Sequence, residues 1–181
     1  MASNPEFLRR MQSGQPMEKS IEALGAADMR AMQFWSTSVF YIYRDCLGFY
    51  GRILNYRLME RAKAVLERMD AIDPAWEDHA TTFSWGIYYL AMPSSLGGDK
   101  AKAGVLLDRA VDMGPRRLLP RWGRGKYYHP ERGDWKAARA DLEAVSAADL
   151  SGLGGHPAWN RYFKAEAARL LSEFGRSGAA R

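Results

Sequence analysis

A spacing of small and large apolar residues recurs three times in this chain, and it constrains the fold more than any other feature. In the stretch LGGDKAKAGVLLDRAVDMGP, Leu96 to Pro115, the residues Ala103, Leu107 and Ala110 follow at steps of four and three. Steps of that size place side chains on one face of a helix. Gly97 and Gly98 interrupt whatever precedes, and Asp99 is suited to cap the helix by accepting a hydrogen bond from its first turn. Gly114 and Pro115 end it. Ala62, Leu66, Met69 and Pro74 have the same offsets, and Ala138, Leu142 and Val145 repeat them once more behind Asp134, without the final proline. The copies start 41 and then 35 residues apart. A period near 34 with small and large residues alternating on a second helix is the tetratricopeptide pattern. The small residues allow two antiparallel helices to approach, and the large one fills the groove between them.

The rest of the chain fits that frame. Residues 1–27 read as an N-terminal helical segment, 28–175 as the tetratricopeptide-like domain and 176–181 as a disordered tail. Asp28 is placed to cap a helix whose apolar residues run from Met29 to Leu47. Either that helix continues to Asn55 or two helices meet near Gly48. Leu58–Ile72, Trp76–Met92, Leu118–Tyr128 and Asp134–Ala147 follow as helices. Ala158–Phe174 closes the chain as a capping helix. No stretch alternates with period two over a convincing length, so the expected class is all-α, an array of antiparallel hairpins.

Composition narrows the function. Hydrophobic residues make up 47% of the chain, enough for a core, and six Trp exceed what packing in a small helical domain needs, so some are candidates to line a groove. The net charge of +5 permits an anionic partner without demanding one. Cys46, the single cysteine, excludes an internal disulfide and a cysteine-based metal site, and reads as a small buried residue. His79, His129 and His156 lack a metal-ligand spacing. Asp78 and His79 form a dyad on paper, but no nucleophile stands in a recognisable context. Gly97-Gly98 is not a phosphate loop, because no strand precedes it and no Gly-Lys-Ser/Thr follows. The expected protein is not an enzyme and holds no cofactor. MASNPEFLRR has no apolar core of an export signal, and no run reaches membrane-spanning length.

Candidate binding residues come from the array geometry. First helices of successive hairpins line the concave face. Arg44 and Leu47 point there if Ala62 marks the second helix, and Gly123 and Tyr127 do if Ala138 marks it, with Trp122 in the core. Trp85 and Tyr89 are placed there less securely, because a loop lengthens that repeat. Arg124 joins them from 116–132, where six basic residues face one acid, Glu131. Rings and a guanidinium around one cavity suit an organic anion. The competing reading is that the rings fill the core and the charges form a solvated helix face. Nucleic acid is disfavoured as a partner by the modest net charge.

LGGDKAKAGVLLDRAV, preceded by Met92-Pro93, resembles the signature of the T-component family of TRAP transporter systems. NRYFKAEAARLLSEF, Asn160 to Phe174, is similar to that family's terminal helix, and Gly125–Tyr128 lies where the family has a first helix ending in aromatics. The resemblance spans Asp28 to Phe174. It implies a non-enzymatic helical protein working beside a periplasmic solute-binding protein, assembling as an oligomer, with a trimer as one form. It also implies a small apolar or organic-acid ligand. The family is exported, often as a lipoprotein, so the resemblance implies a periplasmic location. The alternative is a cytosolic tetratricopeptide adaptor that grips a peptide in its groove.

Overall fold

The computed structural model describes residues 4–178, with side chains through Phe174. Those residues fold into helices with no strand among them, and the chain divides into two compact units, Met1–Ala103 and Gly104–Arg181. The class is all-α, as the spacing predicts.

The first unit begins with α1 (Pro5–Gln12) and the short α2 (Met17–Ser20). Asn4 caps α1 through the amide of Phe7. It also donates to the carbonyl of Ala23 and to Asp28 Oδ2, so the N-terminal segment is stitched to the residues that follow. Asp28 differs from its expected role. Its carboxylate turns back to accept from the Gly25 amide at 3.1 Å and makes no capping bond to α3 (Met29–Tyr41). A carboxylate with two donors already behind it gains nothing by turning forward.

From α3 the chain passes into a wider π-helical turn, Ile42–Cys46, and then breaks at Gly48. Two helices therefore follow, α4 (Phe49–Leu54) and α5 (Tyr56–Ile72), and α3 packs on α5. Tyr43, fully buried in the π turn, donates to the carbonyl of Arg52 at 2.9 Å. Cys46 is exposed, contrary to expectation, because the wider turn rotates it out of the helical face that Val39 and Tyr43 bury.

α6 (Trp76–Ala91) opens on an unusual turn. Glu77, Asp78 and His79 all have left-handed φ of 47°, 54° and 62°. Each such residue crowds its Cβ against a carbonyl at a cost of about 1–2 kcal/mol.

The loop from Pro93 to Asp99 explains its glycines. Gly97 has φ +94°, which glycine adopts without strain. Gly98 is needed for a different reason, since a Cβ there would lie 1.9 Å from the Met92 carbonyl oxygen. Close backbone approach, and not a left-handed φ, is the cause. Asp99 caps α7 (Lys100–Met113) through the amide of Lys102 at 2.9 Å.

The second unit contains α8 (Leu118–Gly123), a second π turn (Arg124–Tyr128), the single turn α9 (His129–Glu131), α10 (Trp135–Ala147) and α11 (Pro157–Gly178). Asp134 caps α10 through the amide of Ala137. Trp122, Leu142, Val145, Phe163 and Ala167 form the centre of a core to which α8, α10 and α11 contribute. α11 reaches into the stretch expected as a tail, of which 179–181 lie outside the described residues.

All nine residues of the threefold pattern are at most 1% exposed. That burial is what a stack of hairpins requires of its contact face, and it is consistent with the repeat arrangement.

Candidate functional site

The residues expected to bind fall into separate clusters, built by different helices. In the first unit, Trp85 and Tyr89 are one turn apart on α6, and their rings stack at 6.0 Å with an interplanar angle of 27°. Both are half-buried. Tyr88, between them, is buried edge-on to both and hydrogen-bonds Glu60 at 3.4 Å. Burial, with the Glu60 charge beside it, pushes the Tyr88 phenol well above its ordinary range. The Trp85 indole donates to Asp70 Oδ2 at 2.6 Å, which fixes the ring plane.

Lys102 completes this cluster. Its Nζ stands 4.1 Å from the centroid of the Tyr89 ring and donates to the Tyr89 hydroxyl at 2.7 Å. The Pro93–Asp99 loop holds it there. Asp99 accepts the Lys102 amide by its side chain while its own amide donates to the carbonyl of Tyr89 at 3.1 Å. A stacked indole–phenol pair with an exposed ammonium at its rim combines apolar area with a positive charge. Arg44 is not part of it. It lies in the first π turn, mostly buried, and bonds Asp45 at 3.0 and 3.1 Å.

In the second unit Arg124 and Tyr127 share the second π turn but face different groups. Arg124 makes a two-pronged bond to Asp141 at 2.7 and 2.8 Å, and its remaining nitrogen donates to Asp108 at 2.7 Å. His129 Nε2 stands 3.3 Å from the same Asp141 carboxylate. The bond to Asp141 holds Arg124 charged, raising its pKa above the usual arginine range against the effect of burial. Gly125 permits the approach, since a Cβ there would sit 3.0 Å from that of Asp141 and 3.2 Å from the Ala138 carbonyl. Tyr127 packs edge-on against the buried Trp122 at 5.5 Å. Lys126 lies over both rings and donates to Glu166 at 2.9 Å. A bond from Arg169, and then that from Lys126, hold the Glu166 carboxyl down at about 2, although its burial alone would raise it.

A shallow cleft of about 340 Å³ opens at the start of α11, lined by Leu150, Leu153, Pro157, Asn160 and Arg161 among others. None of the five sequence-derived binding residues lines it.

With this geometry in place, the comparison with known families is decisive. A family model described as TRAP transporter T-component matches residues 2–175. The chain belongs to that family. No curated protein matches it. The match extends the resemblance carried by the Gly-Gly-Asp loop and the terminal helix to nearly the whole chain, and it makes this T component part of a transport system. No helix among its described residues is long and apolar enough to cross a membrane.

Within this T component, Trp85 and Tyr89 are brought together, whereas Arg124 is saturated by internal carboxylates. Lys102 escaped the sequence reading. The signal for it lay in the capping motif itself, because Asp99 fixes the first turn of α7 and Lys102 is the third residue after that cap.

Proposed function

We propose that this T component binds a periplasmic solute-receptor partner and holds a small apolar or carboxylated molecule against Trp85, Tyr89 and Lys102. The observation that carries the ligand reading is the ammonium of Lys102 above the Tyr89 ring, beside the stacked Trp85. An organic carboxylate would lay its apolar part on the rings and its charge against Nζ. The system's membership in a transporter family supports a receptor partner, a periplasmic location and assembly into an oligomer such as a trimer. Arg44, Arg124 and Tyr127 then serve to shape their hairpins, because their polar groups or rings face the protein's own residues.

Calorimetric titration with octanoate and phenylacetate tests the ligand site. Both should bind wild type, and Lys102→Gln should weaken them at least tenfold while leaving the melting temperature in place. Binding that is absent from wild type, or indifferent to Lys102→Gln and Tyr89→Ala alike, would remove this reading. Light scattering on the same sample measures assembly.

A further inference from the structure

The cleft at the start of α11 has walls that the chain itself fixes in place. It lies within the second unit, between the connection that follows α10 and the first residues of α11. Asn160, only 6% exposed, donates to the carbonyl of Gly154 at 3.0 Å, and the Gly154 amide donates to the carbonyl of Arg116 at 2.8 Å. Lys164 reaches back along α11 to the carbonyl of Ala148. The connection is thus tied down at both ends, and the space of about 340 Å³ is present before anything enters it. That volume stands at the small end of the range for ligand sites. Gly155, which lines the cleft, turns the chain with φ +83°. A Cβ there would stand 3.3 Å from Arg117 Nη1, so glycine lets that guanidinium come close to the wall.

The lining joins two chemistries. Leu150, Leu153 and Pro157 are apolar, and Arg161 is cationic. Among the described residues no carboxylate or carbonyl takes the Arg161 guanidinium, in contrast to Arg124 of the same unit. The Gly155 amide has no acceptor among them either. The surrounding charge has one prevailing sign. From Ala148 to Ala165 the chain has one acid, Asp149, whose carboxylate accepts from the amide and the hydroxyl of Ser151. Against it stand Arg161 and Lys164, with Arg117 beside Gly155. We infer that this cleft binds a short-chain aliphatic carboxylate, with its charge on Arg161 and its hydrocarbon part on Leu150, Leu153 and Pro157. A guanidinium presents paired N–H donors in the geometry of a carboxylate. An inorganic anion would leave the apolar wall wet, and a neutral hydrocarbon would leave Arg161 unused. The site shares no residue with the one at Trp85, Tyr89 and Lys102 and does not rest on it.

The test uses the full chain, isotope-labelled at its glycine nitrogens and followed by NMR during titration with isovalerate, its neutral amide isovaleramide, and acetate. The amides of Gly152, Gly154 and Gly155 report this cleft, and those of Gly97 and Gly98 report the loop behind Tyr89 and Lys102. Isovalerate should shift the first set saturably. Isovaleramide and acetate at the same concentration should shift it at least fivefold less. Arg161→Gln should raise the dissociation constant for isovalerate at least fivefold, and Leu150→Ser should raise it as well. Both side chains are exposed, so the melting temperature should hold in each variant. Lys102→Gln should leave the constant unchanged. Silent glycines in the 152–155 loop overturn the proposal. So does isovaleramide or acetate binding as tightly as isovalerate, or an Arg161→Gln variant that binds like wild type. Shifts confined to Gly97 and Gly98 and lost in Lys102→Gln would keep the site at Tyr89 and remove this one.

Discussion

The hairpin built on α3 and α5 and the one built on α8 and α10 share a construction and end with opposite surfaces. Each first helix widens into a π turn, Ile42–Cys46 in one and Arg124–Tyr128 in the other. Each places a large aromatic in the core at or just before that turn, Tyr43 and Trp122. After the turn they diverge. The second hairpin is closed by carboxylates of its own and of neighbouring helices: Arg124 meets Asp141 on α10 and Asp108 on α7, Lys126 meets Glu166 on α11, and Gly125 lets the backbone come up against α10. The first hairpin stays open, and the residues after its turn form the apolar face of α4. π turns often mark functional positions, and this pair shows that the turn alone does not decide what is displayed. The charge balance does. Two carboxylates, Asp108 and Asp141, stand where they can neutralise Arg124, whereas Arg52 is satisfied by backbone carbonyls and leaves the apolar side chains outward.

The closed hairpin is the easier to break. Asp141→Ala removes the main partner of a guanidinium whose side chain is only 17% exposed. Stranding a mostly buried charge should cost about 3 kcal/mol. Chemical denaturation should show this as a lower midpoint with an unchanged slope. A loss below about 1 kcal/mol would mean that Asp108 and His129 absorb the change and that the hairpin is held by its apolar core.

The shared construction is tested at the small residues. Ala62→Leu and Ala138→Leu each overfill a helix contact at a position that is fully buried, and each should cost about 1–3 kcal/mol. Similar losses in the two hairpins would support a common repeat register. A tolerant Ala62 beside an intolerant Ala138 would show that the open hairpin also packs more loosely. These sites were readable in advance because burial follows helical period, and period is written locally in the sequence. The caps Asp99 and Asp134 were readable for the same reason, each acting within three residues. Asp28 was misread because it serves as the third residue of the preceding turn, accepting from the Gly25 amide, and its other donor, Asn4, lies far off in the chain. Arg124 looked available for a ligand because its partners lie sixteen and seventeen residues away. The outward face of α4 could not be read at all. Its composition resembles a core helix, and only packing shows which arc turned in.

The first unit also carries strain that glycine should relieve. Among the described residues, the non-glycine positions with left-handed φ are Glu77, Asp78 and His79. Asp78→Gly removes one Cβ clash and should raise stability by about 1 kcal/mol, less the added freedom of the unfolded chain. A thermal melt reads this directly. A fall in stability would mean that the Asp78 carboxylate contributes more to the turn than its backbone costs.

The smallest effect concerns the far side of the closed hairpin, where Glu166 joins α11 to Lys126 and to Arg169. Its folded pKa, at about 2, lies below the ordinary carboxylate value of an unfolded chain. The pair therefore contributes its full stability above about pH 4.5 and loses it as the pH falls toward 2. Arg169 is exposed and salt screens that half of the interaction, so the contribution should be at most about 1 kcal/mol. Wild type should lose more stability than Glu166→Gln between pH 5 and pH 3, and the two should converge at the acid end. High salt should shrink the difference without removing it, because the Lys126 bond lies against the rings of Trp122 and Tyr127, shielded from water. If salt erased it completely, the ion pair would be acting as a surface contact, and the closure of this hairpin would rest on Arg124 alone.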